Sequence, residues 1–426
     1  MTRSYMATHD LIAVSANTKE TAINTEQTLD TTMLCSLGDI INMEHRRESN
    51  ENEATGKEEP DTLYDLGALS NVSFNFEKAQ PQHFAFLLAY ALGSPSVAAA
   101  GSGKQHTIVP ISGDLDDARS LPSFTAAQRY GNTVLRRRFA SMFIDSITAT
   151  FAKDAWCKIT GSIKGTGKVT TNVTEEVVTA LGNATSLTLA ANGVQGADAA
   201  TRLQNIQRIR VELDTGVWTE VACTAVSAAT PAVITITSPG GAATNFNYRI
   251  LYIPTEAGWM SFPSRVTETP LRVSEMTLKM GGAWSGSAFV GGRNLQAEMK
   301  SIDWTFNNNL AVEFVPGAGG AYASRAIRAG RTQKITLNRE MREFIVQQHL
   351  VANDTLGIYI LAEGAVYDAP HKYQVEIIFP KVGLLTAPIS VDGKRLGEAG
   401  DLQVLEHDTY GSVIVKVKNL QATYAA

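Results

Sequence analysis

Residues 71 to 93, NVSFNFEKAQPQHFAFLLAYALG, change their hydrophobic period halfway along. Val72, Phe74 and Phe76 alternate with Asn71, Ser73 and Asn75, the period-two pattern of a half-buried strand. From Pro81 the apolar positions Phe84, Leu87, Leu88 and Ala91 recur at helical spacing, and Gly93 closes the run. Proline suits a first helical turn and glycine the position just past the last, so a short helix is predicted over 81–93. Phe84, Leu87 and Leu88 are its expected core stripe. A second passage of this kind occupies 333–357, QKITLNREMREFIVQQHLVANDTLG. Ile335 and Leu337 alternate, Asn338 is a plausible N-cap, and Met341, Phe344, Ile345 and Gln348 follow helical spacing. That predicts a helix over 339–351, with Met341, Phe344 and Ile345 in the core, and a strand IYILAEG after Gly357. The order strand, cap, helix, glycine, strand is therefore repeated. Two explanations fit, a duplicated unit that builds one continuous or ring-like core, or two independent strand–helix corners.

The remaining pattern divides the chain into an arm, two larger regions and an insert. Residues 1–30 are polar, Thr-rich and weakly periodic, as expected of an extended arm. LCSLGDIIN, 34–42, reads as a first strand, and the charged stretch 43–66 reads as a long solvated loop. GSPSVAAAGSGKQH, 93–106, reads as a second long loop before the strand TIVPIS. Ile147, Ala149 and Phe151 mark one strand, and Cys157, Ile159 and Ile163 mark its neighbour. Residues 31–180 thus form a first unit. Residues 181–255 are rich in Ala, Thr, Val and Gly, with short runs TSLTLAA, RIRVELD, AVITITS and NYRILYIP between turn signals, the texture of a small all-β insert. In a second unit, 256–426, Ile302, Trp304 and Phe306 alternate, as do Tyr373, Val375, Ile377 and Phe379, and Val413, Val415 and Val417.

Composition narrows the function more by exclusion than by indication. Charged residues make up 19% of the 426 and the net charge is -5, so there is no basic footprint of a phosphate-gripping nucleic-acid reader. Cys35, Cys157 and Cys223 offer neither a disulfide framework nor zinc spacing. The N-terminus lacks a signal-peptide core and no apolar run approaches membrane-spanning length, which predicts a protein made in the cytoplasm with no membrane partner. Gly103-Lys104 and Gly167-Lys168 fail as phosphate loops. The first-glycine positions hold Ala98 and Ser162, and the metal-hydroxyl positions hold Gln105 and Val169. The seven histidines never fall at metal-ligand spacing, and Asp114, Asp116 and Asp117 lack the glycine and distal glutamate of a calcium loop. No catalytic, metal or cofactor site is predicted. Arg136, Arg137 and Arg138 form the strongest basic spot. Their expected role is an inter-subunit salt bridge, with partners in the acidic stretch Glu48, Glu51, Glu53, Glu58 and Glu59.

Several of these stretches resemble the tail tube proteins of long-tailed bacteriophages. KETAINTEQTLDTTMLC is similar to that family's lead into its first strand. The loop ending GKEEPDTLYDLG, the strand NVSFNFEK and the helix PQHFAFLLAYALG follow in the family's order. RRFASMFIDSITATFAK and CKITGSIKGTGKV resemble its paired strands. The resemblance covers 30–180 well and 256–426 more loosely, and the insert departs from a minimal tube protein. It implies a mainly β fold, an antiparallel sandwich or half-barrel flanked by a short helix and duplicated here. It further implies a virion protein without enzymatic activity, assembled in the host cytoplasm, that self-assembles into stacked rings for genome delivery. Rings of six chains, or of three duplicated chains, would contact other tail proteins and pass viral DNA without binding it specifically. The long loop, with Glu44, Arg46, Arg47, Glu48, Glu51, Lys57, Glu58 and Glu59, would reach the next ring. Two alternatives stand beside this one. The first is another virion component, such as a baseplate hub or capsid decoration. The second is a carbohydrate-binding β module stacking sugars on Trp218 and Tyr252.

Overall fold

The structure is a computed structural model of the 426-residue chain and describes residues 6–113, 119–131, 135–214, 216–255, 262–265, 267–316 and 320–426. It is mainly β with several antiparallel sheets, no closed barrel, and three α-helices among the described residues. The chain divides into two compact units. The smaller comprises Met1–Leu11, Ala127–Arg138 and Val169–Ser261, and the larger Ile12–Ala126, Phe139–Lys168 and Phe262–Ala426.

The alternating strands of the larger unit pair into an eight-stranded run. Its order is Asn42–Ser49, Leu63–Phe76, Lys158–Gly165, Arg136–Ala152, Met299–Asn307, Thr332–Glu340, Arg395–Val404 and Ile389–Asp392, every pair antiparallel. A second run holds Gly93–Ala100, Gly103–Pro110, Ile414–Asn419, His371–Thr386, Thr355–Asp368 and Met276–Trp284. His371–Thr386 joins the two runs, because its far end also pairs with Arg395–Val404. Across the eight-stranded run, Phe76, Ile159, Ala149, Trp304, Ile335 and Leu402 lie opposite one another in register and are buried. This row explains the alternation in the sequence, since one parity of each strand feeds a common core.

The helix Pro81–Leu92 lies in that core with all twelve residues buried, so it carries no solvent face. Some of its polar groups are met locally, while Gln82 Nε2 and His83 Nε2 are buried with no hydrogen-bond partner among the described residues. His83 Nδ1 accepts from the Gln80 N–H at 3.2 Å, and the Glu268 carboxylate accepts from the Gln82 N–H at 2.9 Å. The Tyr90 hydroxyl donates to the Ser15 carbonyl at 2.7 Å. Gly93 ends the helix at φ +83°, the left-handed region that favours glycine, and a Cβ there would lie 2.6 Å from Ile111 Cδ1 and displace that side chain.

Several expectations need correction. Of residues 34–42, only Asn42 lies in a strand; the strands here are Thr31–Met33 and Asn42–Ser49. The loop expected at 43–66 is largely a hairpin of Asn42–Ser49 on Leu63–Phe76. Charge on both faces hides the strand period, and Asn50 closes the turn instead. Its Oδ1 accepts from the Asp61 and Thr62 N–H groups at 3.1 and 3.2 Å. The loop expected at 93–106 is a hairpin of Gly93–Ala100 with Gly103–Pro110. The second helix is Ile345–Ala352 rather than 339–351. Asn338 does not cap it but sits in the strand Thr332–Glu340, its Nδ2 donating to Ser301 Oγ at 3.0 Å. The strand runs on because Arg339 is anchored there by buried carboxylates. Met341 precedes the helix and is half-buried, Ile345 is half-buried against the core, and Phe344 is 63% exposed rather than core.

In the smaller unit, Thr174–Leu181, Asn245–Tyr252, Ile206–Asp214 and Val217–Glu220 form one sheet. Ser186–Thr188, Val233–Ile236 and Cys223–Val226 form another. Both contribute to a separate core that includes Val211, Ile234, Tyr248 and Ile250. The first strand of this sandwich begins before residue 181, where the sequence texture changes.

Candidate assembly surfaces

The strands around the two helices correspond one to one. The run Asn42–Ser49, Leu63–Phe76, Lys158–Gly165, Arg136–Ala152 matches Met299–Asn307, Thr332–Glu340, Arg395–Val404, Ile389–Asp392 in chain order and pairing. In each half the second strand leads to the helix, and the helix leads to a hairpin, Gly93–Pro110 in one and Thr355–Thr386 in the other. A glycine marks the match. Phe74 lies opposite Gly161, and Leu337 lies opposite Gly400. The halves are joined edge to edge by Arg136–Ala152 and Met299–Asn307, with Ile302 opposite Phe151 and Trp304 opposite Ala149. The sequence showed only the strand–helix order of this repeat, because the pairing partners lie far apart in the chain.

The non-core face of the eight-stranded run is a hydroxyl and amide surface. Asn75, Thr160, Thr148, Thr305, Lys334 and Gln403 stand opposite one another across six strands. Beside them runs the row Ser73, Ser162, Ser146, Asn307 and Thr332. Its lysines have acidic partners: Lys158 with Glu77 at 2.7 Å, Lys164 with Asp145 at 2.9 Å, and Lys334 with Asp401 at 3.0 Å. Asp303 also lies on this face, between Thr150 and Thr336.

Among the described residues both outer strands of the run have one unpaired side, and exposed apolar side chains lie near both edges. Leu63, Tyr64 and Leu66 are exposed on the first hairpin, and Leu385, Ile389, Val391 and Leu396 at the other edge. Along the first hairpin, Arg47 lies opposite Asp65, Glu48 opposite Tyr64, and Glu44 accepts from Asn71 at 3.4 Å. Arg46 stacks over Phe314 at 5.3 Å. At the tip Lys57 pairs with Asp61, and Glu51, Glu58 and Glu59 are exposed.

Arg136, Arg137 and Arg138 fall in the smaller unit's segment. The Arg136 N–H donates to Asn172 Oδ1 at 3.0 Å, and burial, then Arg129, pull the Arg136 guanidinium below its ordinary range. Arg137 stacks over Tyr130 at 5.7 Å. Tyr252 is buried and its hydroxyl donates to Glu176 at 2.9 Å, so it presents no face for a sugar. Trp218 is covered by the guanidinium groups of Arg210 and Arg249, at 4.9 and 4.7 Å. Asp114, Asp116 and Asp117 lie outside the described residues. Among the described residues, no group of three His, Cys, Asp or Glu is placed to hold a metal ion.

Two buried titratable groups flank the start of the helix. Burial lowers His83 to about 3. Burial raises Glu268 to about 7, opposed by its hydrogen bond from Gln82. An open hollow of about 580 Å³ lies by Arg331, Gln333, Glu406 and Tyr410. Burial, then Arg328, lower Arg331 to about 10. Compared with known proteins, the chain matches no family model and no curated sequence.

Proposed function

We propose that this chain is a structural protein that assembles with copies of itself into stacked rings, the tail tube of a long-tailed bacteriophage. The observation that carries the reading is the eight-stranded run built from two equivalent halves, with an open edge at each end. Open edges carry unpaired backbone groups and are a liability unless a partner covers them. A chain whose halves already join edge to edge has the shape of a repeating part, and head-to-tail repetition of such a part gives a ring where its rotation closes and a helical filament where it does not.

The hydroxyl and amide face suits the bore of such a ring. Cations there are paired with carboxylates, so passing DNA meets few free charges that would grip its phosphates. The first hairpin suits contact along the tube axis, because a two-stranded ribbon exposed on both sides gains little from its own packing. Two units per chain favour rings of three chains presenting six equivalent units. Negative-stain images of the purified protein should show hollow rings or tubes. A protein that stays monomeric at every concentration tested would remove the reading. A measured ring mass of six chains would remove the three-chain arrangement alone.

A further inference from the structure

The joint inside the chain supplies a template for the joint between chains. We infer that residues 39–44 of one copy pair antiparallel with residues 386–391 of the next, Ile41 opposite Ile389; this rests on the ring-forming reading above. The register follows from the correspondence of the halves. With Phe74 matched to Leu337 and Gly161 to Gly400, Val72 corresponds to Ile335. Trp304 lies opposite Ile335, and continuing the ladder one step past its last pair, Asn42–Asn71, would set Ile41 opposite Val72, the place of Trp304 in the other half. On the other side, Ala149 lies opposite Ile159 and Ile389 opposite Glu398, so Ile389 corresponds to Ala149. Trp304 and Ala149 face each other across the internal joint. Their counterparts Ile41 and Ile389 therefore face each other across the external one.

The same transfer sets Met43 opposite Ala387 and Asp39 opposite Val391 on the core side. On the other side it sets Ile40 opposite Ser390. The edges meet the geometric demand. Ile389–Asp392 pairs with Arg395–Val404 on one side and has no strand on the other among the described residues. The internal joint has no such open side, since each of its strands has two neighbours. Ile40 is 40% and Val391 73% exposed in the single chain, and the junction gives both an opposing strand. Such head-to-tail pairing uses a different edge on each partner, so it propagates around a ring instead of stopping at a dimer.

Directly opposite residues in antiparallel strands bring their Cβ atoms within about 5.5 Å, inside the reach of a short thiol-reactive cross-linker. The test compares Ile40→Cys/Ser390→Cys with the shifted pair Asn42→Cys/Ser390→Cys and with the unmodified chain, which carries three cysteines of its own. Folding is checked by circular dichroism and assembly by sedimentation. The matched pair should give at least several-fold more chain-to-chain product than the shifted pair, in multiples that end at the closed ring. Rings that form but link better through the shifted pair, or through Ile40→Cys alone, overturn this junction and leave ring formation standing. Folded protein that never assembles removes both.

Discussion

Arg339→Met is a stringent test of how the second half is held together. Arg339 is 1% exposed, with Nη1 donating to Glu298 and Nε to Glu398, each at 2.8 Å, and Nη2 to the Glu343 carbonyl at 3.2 Å. Both carboxylates are buried, and Arg293 reaches Glu298 at 2.7 Å from the more exposed side. Methionine fills part of the volume but leaves the Glu398 carboxylate with only the Gln347 amide as a polar side-chain partner. Breaking a buried ion pair from one side costs about 3–5 kcal/mol. Against a whole-protein stability of about 5–15 kcal/mol, that is a large fraction. Urea unfolding followed by tryptophan fluorescence reads the effect, because Trp304 is buried in the same core. With a slope of about 3 kcal/mol per molar urea, the midpoint should fall by about 1–1.7 M. Adding Glu298→Gln and Glu398→Gln to Arg339→Met should recover more than half of the loss, since the stranded charge is gone. A loss below about 1 kcal/mol, or no recovery in the triple variant, would refute the reasoning.

Glu268 and His83 give opposing pH dependences. Glu268 is raised from 4.5 to about 7, so its contribution is present at low pH and lost as pH rises through about 7. His83 is lowered from 6.5 to about 3, so its contribution is present above 6.5 and lost as pH falls toward 3. The two slopes oppose between about pH 4.5 and 6.5. Glu268→Gln should therefore stabilise the protein at pH 8, by up to about 3 kcal/mol, and steepen the acid loss below pH 6.5; denaturation at pH 5, 6.5 and 8 checks both. Gly93→Ala should cost about 1–3 kcal/mol, from the positive φ and the approach to Ile111, measured by thermal unfolding. Reversing the charge at Glu58 and Glu59 should leave the monomer's unfolding midpoint unchanged and weaken tube assembly in sedimentation; unaltered tubes would remove the axial role of the hairpin.

Legibility in the sequence followed the range of the interaction. Where burial alone sets the pattern, as in Val72, Phe74, Phe76 and in Ile302, Trp304, Phe306, alternation marks the strand and its inward face. Pro81 and Gly93 bracket the buried helix because backbone geometry at its ends is local. The hairpin 42–76 escaped because its outer half is charged on both faces and its ladder is held by pairing and by Asn50. The second helix was displaced because Arg339 resembles a solvated helix residue until Glu298 and Glu398 are brought to it from 41 and 59 residues away. The correspondence of the halves is a relation among pairings, and no single segment contains it.

The internal seam between Arg136–Ala152 and Met299–Asn307 closes when one molecule folds. Linkage within a chain replaces a protein concentration with an effective local one, commonly millimolar for short connections. In the ring proposed above, one class of seam would then be saturated before any collision between molecules, and only the other would respond to dilution. Divergence follows as well: the tethered seam can drift toward any stable packing. On the same proposal, the free seam would have to remain weak enough to wait and selective enough to admit only its own kind.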